Sequence, residues 1–276
     1  MVRRPLPVLL PFRPRPAAPA TSWIGSGLAL IVVLLTVLVL AGEARAGPGE
    51  SGILALIWKW TPLMFRGFLF NLLISVLAMA IGTAAGVGLG LGQVSHVAAV
   101  RRTAWLVTQF FRNAPWLVLL FYCIFLIPFE LSLFGARVPF PAWIKAVIGL
   151  SLPVMANVAE IVRGAVQSIP TGQWEAAESL AFSRRQAMWM IILPQCVKRM
   201  LPPWMNLYAI LTMATPLVSI VGVQEAMTLT RAALSAEGRV DLLIPMYLWL
   251  LSWFFVYCYP ISRATVRLER RFAIAT

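Results

Sequence analysis

Histidine is almost missing from this chain: His96 is the single example, which rules out a histidine-based metal site. No Ser/His or Cys/His constellation accompanies it, so the pattern of a nucleophilic enzyme is absent as well. Cysteine is scarce too. Cys123, Cys196 and Cys258 are odd in number, lie in or beside apolar stretches and show no CxxC spacing, so they read as packing residues rather than a disulfide or metal framework. Charge is the third shortage: only 12% of the residues are charged, about half the share in soluble domains. The glycine-rich phosphate cradles GxxxxGK[ST] and GxGxxG do not occur, which leaves the chain without the usual means of holding ATP. No metal and no cofactor is expected.

Apolar residues fill the space that charge leaves. They make up 60% of the 276 residues, and the mean hydropathy is +0.83. A bilayer core of about 30 Å needs about 20 mostly apolar residues per helical crossing. Six stretches qualify, near 23–41, 65–92, 105–128, 142–159, 201–222 and 242–261, the fourth interrupted by Lys145 and Pro153. The expected fold is an all-α, polytopic transmembrane helical bundle.

The formal net charge of +13 raises a nucleic-acid partner, and the placement of the basic residues argues against it. With the N-terminus in the cytoplasm, inside segments carry Arg3, Arg4, Arg13, Arg15, Arg101, Arg102, Arg163, Arg184, Arg185, Lys198, Arg199, Arg263, Arg267, Arg270 and Arg271. Outside segments carry Arg45, Lys59, Arg137, Arg231 and Arg239. That asymmetry follows the positive-inside rule and places both termini in the cytoplasm. No acidic residue falls at the middle of a span, which counts against a proton- or sodium-coupled carrier, as does the lack of an obvious internal repeat.

Residues 1–22 are rich in Pro and Arg, the composition of a disordered cytoplasmic lead. Two readings of the next stretch stay open: a retained span over 23–41, or a signal peptide cleaved near Ala44-Arg45-Ala46. In the second span Gly82, Gly86 and Gly90 recur every four residues, with Gly88 and Gly92 in a parallel row. Such small-xxx-small stripes let two helix backbones approach closely.

The longest inside loop runs over 160–199. Pro170 and Thr171 suit a helix start, with a short helix near 172–181 and Glu175 and Glu178 in its first turns. Ser183-Arg184-Arg185-Gln186 has the form of a capping box, opening a second helix that Pro194 disturbs. Trp174, Ala177, Leu180 and Ala181 recur at helical spacing. That apolar face either rests on its own bundle or docks into a partner's groove.

Glu175-Ala176-Ala177, Ala181 and Ile192-Leu193-Pro194 resemble the EAA signature of binding-protein-dependent ABC import permeases. Glu160–Glu175 is similar to the run before that signature in the polar amino acid branch. Phe111–Val118, Leu201–Pro203 and Leu268–Arg271 resemble further segments of that branch, so the likeness extends from about Phe65 to the C-terminus. The resemblance implies a permease domain over 65–276, with five spans in its core and 23–41 as an extra one. It also implies a non-enzymatic permease for polar amino acids in the inner membrane. Its partners would be a cytoplasmic ATP-binding subunit dimer, a second permease subunit, identical or related, and a periplasmic amino-acid-binding protein, within membrane lipid.

In that scheme Glu175, Ala176, Ala177, Ala181, Leu193 and Pro194 form the loop that couples to the ATPase. Polar residues within spans, Asn71, Asn157, Asn206, Thr212 and Thr215, are the solute-path candidates, although helix–helix hydrogen bonding is the commoner role of such side chains. The family usually has Gly where Ala181 stands. Since a left-handed Ala costs about 1 to 2 kcal/mol, the corner is expected to be more helical here. The family's "KDTSL" segment is replaced by Met213-Ala-Thr-Pro-Leu217. The reading from another class is an ATP-independent channel or secondary carrier for small polar solutes.

Overall fold

The computed structural model describes residues 52–133 and 136–272. The disordered lead over 1–22 and the extra span over 23–41 lie outside the described residues. Nine α-helices are described: α1 (Ile53–Gln93), α2 (Ala98–Asn113), α3 (Trp116–Leu126), α4 (Ala142–Gln167), α5 (Thr171–Ser179), α6 (Arg184–Gln186), α7 (Leu193–Ala214), α8 (Ala226–Glu237) and α9 (Leu243–Phe272). A short antiparallel hairpin, β1 (Glu130–Leu133) with β2 (Ala136–Pro139), joins α3 to α4 and is the exception to the all-helical expectation.

The centre of the bundle is the pairing of α1 with α4. A Cβ added to Gly82, Gly86 or Gly90 would lie 2.5, 2.6 or 2.7 Å from Val154, the Met155 carbonyl or Val162. The stripe therefore brings the α1 backbone into contact with a row of valines, as its spacing predicts. The parallel row differs: Gly88 faces open space, and Gly92 approaches the Ala104 and Val100 side chains of α2. Ile74, Leu120, Leu150, Val154 and Leu211 fill the same core from α1, α3, α4 and α7.

Three expected spans are redrawn. The second begins at Ile53 rather than near 65, because Ile53, Leu56, Ile57 and Met64 bury against Ala233, Leu242 and Met246. The third, expected over 105–128, is broken by a 103° bend between α2 and α3. Pro115 disfavours a helical Ala114, whose backbone is extended at φ −74°, ψ 135°. The fourth is continuous despite Lys145 and Pro153. Fully buried Lys145 donates to the carbonyls of Ile124 (3.3 Å) and Ile127 (2.7 Å) and lies 3.3 Å from the Phe129 ring centroid, so it closes the C-terminus of α3.

Among the described residues, three helices are long and apolar enough to cross a membrane, and the bent pair α2–α3 has the length and composition of either a broken fourth span or a re-entrant loop. α7 carries Lys198 and Arg199 in its first turns, which dilutes its hydropathy. In the segment that carries Arg231 and Arg239, α8 packs on α1. Glu225 caps it, accepting from Met227 N (3.0 Å), Thr228 N (2.9 Å) and the Asn71 amide (3.0 Å). A Cβ at Gly67 would sit 2.7 Å from the Ala226 backbone.

Gly86→Val should therefore lower stability by about 2 to 3 kcal/mol through overpacking, whereas Gly88→Ala should change it by about 0.5 kcal/mol or less. Chemical unfolding in mixed micelles measures both. Equal effects would remove the α1–α4 contact from its central place.

Candidate functional site

The loop after α4 folds as two short helical pieces at an angle. α5 starts at Thr171 behind Pro170 and stops at Ser179. Its end is a Schellman closure: Ala181 N–H donates to the Glu178 carbonyl (2.9 Å) and Phe182 N–H to the Ala177 carbonyl (3.1 Å). That closure needs a left-handed residue between them, and Ala181 supplies it with φ +55°. The expectation of a more helical corner is overturned. The two closing hydrogen bonds outweigh a strain of about 1 to 2 kcal/mol that glycine would avoid.

Beyond the corner, the capping box forms as its sequence predicts, with Ser183 Oγ accepting from Gln186 N and Gln186 Oε1 accepting from Ser183 N (2.9 Å). Pro194 does not break the helix that follows. A π-helical turn over Ala187–Ile192 lies between α6 and α7 and sets Pro194 into the first turn of α7, where a missing N–H is tolerated.

The apolar face of α5 divides between the two readings. Ala177 is 1% exposed and Trp174 packs on a cluster of Ala165, Val166, Ile169, Ile192 and Cys196, with Leu193 against its edge. Leu180 is 71% exposed, and Glu175, Ala176, Ala181 and Pro194 are exposed too. One side of α5 is thus fixed to α4 and α7, and the other faces outward. Neither acid sits in the first turn of α5. Glu175 is in the second, and Glu178, in the last, lies 3.9 Å from Arg184 with both side chains largely exposed.

The polar span residues separate into two groups. Asn157 and Asn206 line an open cleft of about 480 Å³ between α4 and α7. Arg112, Glu160 and Arg199 line it as well. Glu160 is the centre of charge there, 2.6 Å from Arg163 and 3.3 Å from Arg112, while Arg199 donates to the Ser168 carbonyl and hydroxyl (2.6 and 2.9 Å). Asn71, Thr212 and Thr215 are instead wholly buried. Asn71 donates to Thr215 (3.0 Å) and Glu225 (3.0 Å), and Thr215 to the Thr212 carbonyl (2.8 Å). This second group ties helices together.

Sequence reasoning missed the pairing of Arg112 with Glu160, because nothing local links residues on different helices. The spacing of Glu160, Arg163 and Gln167 on one helical face was legible, and Arg163 bonds both others. Buried Gln93, which donates to Thr108 (2.9 Å), and the Glu225 cap carried no signal that distinguished them from surface polar residues.

The family model described as "Binding-protein-dependent transport system inner membrane component" matches residues 82–274. The chain is 35% identical over 212 residues to a probable amino-acid ABC transporter permease, YckA of Bacillus subtilis, covering 77% of this chain and 90% of the relative. Among solved structures, a chain of an amino acid ABC transporter with histidines superposes with a TM-score of 0.69 at 27% identity, covering 81% of this chain and all of that one. A chain of the inward-facing MetNI methionine ABC transporter superposes at 0.60 and 19% identity, covering 76% of this chain and 95% of that one, a likeness of fold.

Because Gly adopts φ +55° without steric cost but loses more chain entropy, Ala181→Gly should stabilise the end of α5 by a net of about 0.5 to 1 kcal/mol. Hydrogen exchange at the α5 amides should slow about two- to fivefold. Faster exchange would contradict the left-handed corner.

Proposed function

Since the chain belongs to the family of binding-protein-dependent transport system inner membrane components, we propose that it is the membrane-spanning permease subunit of an ATP-driven importer of amino acids. The observation that carries the reading is the two-sided α5, seated on the bundle through Trp174 and Ala177 and presenting Glu175, Ala176 and Leu180 outward. A helix held in this way transmits force in both directions. Whatever grips its outer face displaces α4 and α7 together.

The partner that fits is a cytoplasmic ATP-binding subunit, a dimer serving two permease subunits, identical or related. ATP hydrolysis belongs to that partner, since this chain has no phosphate-binding loop. Both termini and α5 then face the cytoplasm, as the distribution of basic residues supports. The permease domain spans 65–276 with its coupling segment over 160–199, in which Leu193 and Pro194 open α7. A periplasmic binding protein delivers the solute from the opposite side.

Asn157 and Asn206 are the proposed solute contacts, joined now by Arg112, Glu160 and Arg199. A cleft with both a carboxylate and guanidinium groups complements the two charges of an amino acid zwitterion. The buried trio Asn71, Thr212 and Thr215 is assigned to helix packing instead.

Reconstitution with the ATP-binding subunit and binding protein tests the coupling role. Glu175→Ala should reduce uptake and solute-stimulated hydrolysis about tenfold or more while assembly persists, the loss of one interface hot spot. Glu178→Ala removes a loose exposed ion pair worth about 0 to 1 kcal/mol and should leave both rates within about twofold. Equal, mild losses would reduce Glu175 to an ordinary helix residue.

A further inference from the structure

A groove of about 520 Å³ runs along α9. Leu251, Phe255 and Cys258 form its floor, Met213 and Pro216 one wall, and no charged side chain lines it. It follows α9 to the exposed Ser262, and there the chemistry changes within one residue. Arg263 stacks over Tyr259, itself a lining residue, with its guanidinium carbon 5.7 Å from the ring centroid. The exposed Arg267 and Arg270 follow on the next turns. Among the described residues no carboxylate forms an ion pair with these three arginines, and Glu269 is the one acid in the run.

No charge interrupts α9 from Leu243 to Ser262, a length of about 30 Å at the helical rise, which matches the hydrocarbon core. Arg263 therefore falls at the boundary of the core, where phosphates lie. A dry groove that ends in unpaired guanidinium groups at that depth has the two halves of a lipid site. Its volume is on the scale of an acyl chain and well below that of a packed helix.

We propose that this groove binds an anionic phospholipid, one acyl chain lying along Leu251, Phe255 and Cys258 and the phosphate held by Arg263. The inference rests on membrane insertion of α9 and not on which solute is carried. It fixes lipid along the outer edge of the seam where α9 packs on α7 through Tyr208 and Tyr257.

Native mass spectrometry of the full-length chain, released from micelles containing phosphatidylglycerol or phosphatidylethanolamine, tests it. One phosphatidylglycerol should be retained, about fivefold in preference to phosphatidylethanolamine. Arg263→Gln should abolish that preference, about fivefold per basic residue removed. Leu251→Trp, which fills the groove, should lower retention of both lipids, and Arg231→Gln on α8 should change neither. Equal retention of the two lipids by the unaltered chain, or an Arg263→Gln variant that keeps the preference, would overturn the proposal. So would disulfide capture of Leu251→Cys by Val33→Cys, which places the chain's own apolar stretch in the groove, or by a second copy's Leu251→Cys.

Discussion

The closeness of α1 and α4 is the constraint from which the rest of the structure follows. Within hydrocarbon, apolar side chains gain little by turning from lipid to protein, so helix association rests on contact distance and on satisfied polar groups. Gly82, Gly86 and Gly90 set the α1 backbone against Val154, Val158 and Val162, and dispersion contacts over that length hold the pair. α4 then stands as a fixed post. α3 leans on it through Leu120 against Gly149, α7 shares its core through Leu207 and Leu211, and the loop that carries α5 begins where α4 ends.

A second constraint is the cost of unsatisfied polar groups in a dry medium. Lys145 closes the carbonyl end of α3, Glu225 closes the amide end of α8, and Asn71 bridges Glu225 to Thr215 across three elements. All four side chains are fully buried. In the sequence Lys145 reads as an interruption of a span and Asn71 and Thr215 as candidate path residues, yet each completes the backbone or links helices. The polar cleft is the complement: there Glu160, Arg112, Arg199, Asn157 and Asn206 keep an opening.

What was legible in the sequence was whatever depends on neighbours along the chain. The glycine stripe, the Ser183 capping box and the likeness around Glu175 rest on spacings of three and four residues, and the structure places each element where those spacings put it. The bend at Ala114-Pro115 was visible in principle, since the residue before proline resists helix and Arg112 and Asn113 directly precede it. The Arg112–Glu160 pair and the Glu225–Asn71 bond join residues far apart in the chain, and no periodicity reports such contacts. Ala181 shows the limit of propensity. A left-handed alanine is unfavourable alone and is still adopted, because two carbonyls at the end of α5 would otherwise go unpaired.

The division of α5 into a fixed side and an outward side is the feature on which the transport account turns. Its most direct measurement is photo-cross-linking in membranes containing the assembled transporter, with benzoylphenylalanine placed at Ala176, at Leu180 or at Val256. Val256 is 60% exposed on α9 and serves as the lipid-facing reference. The account predicts capture of the ATP-binding subunit from Ala176 and Leu180 and none from Val256. No capture from the α5 positions, or equal capture from all three, would contradict it.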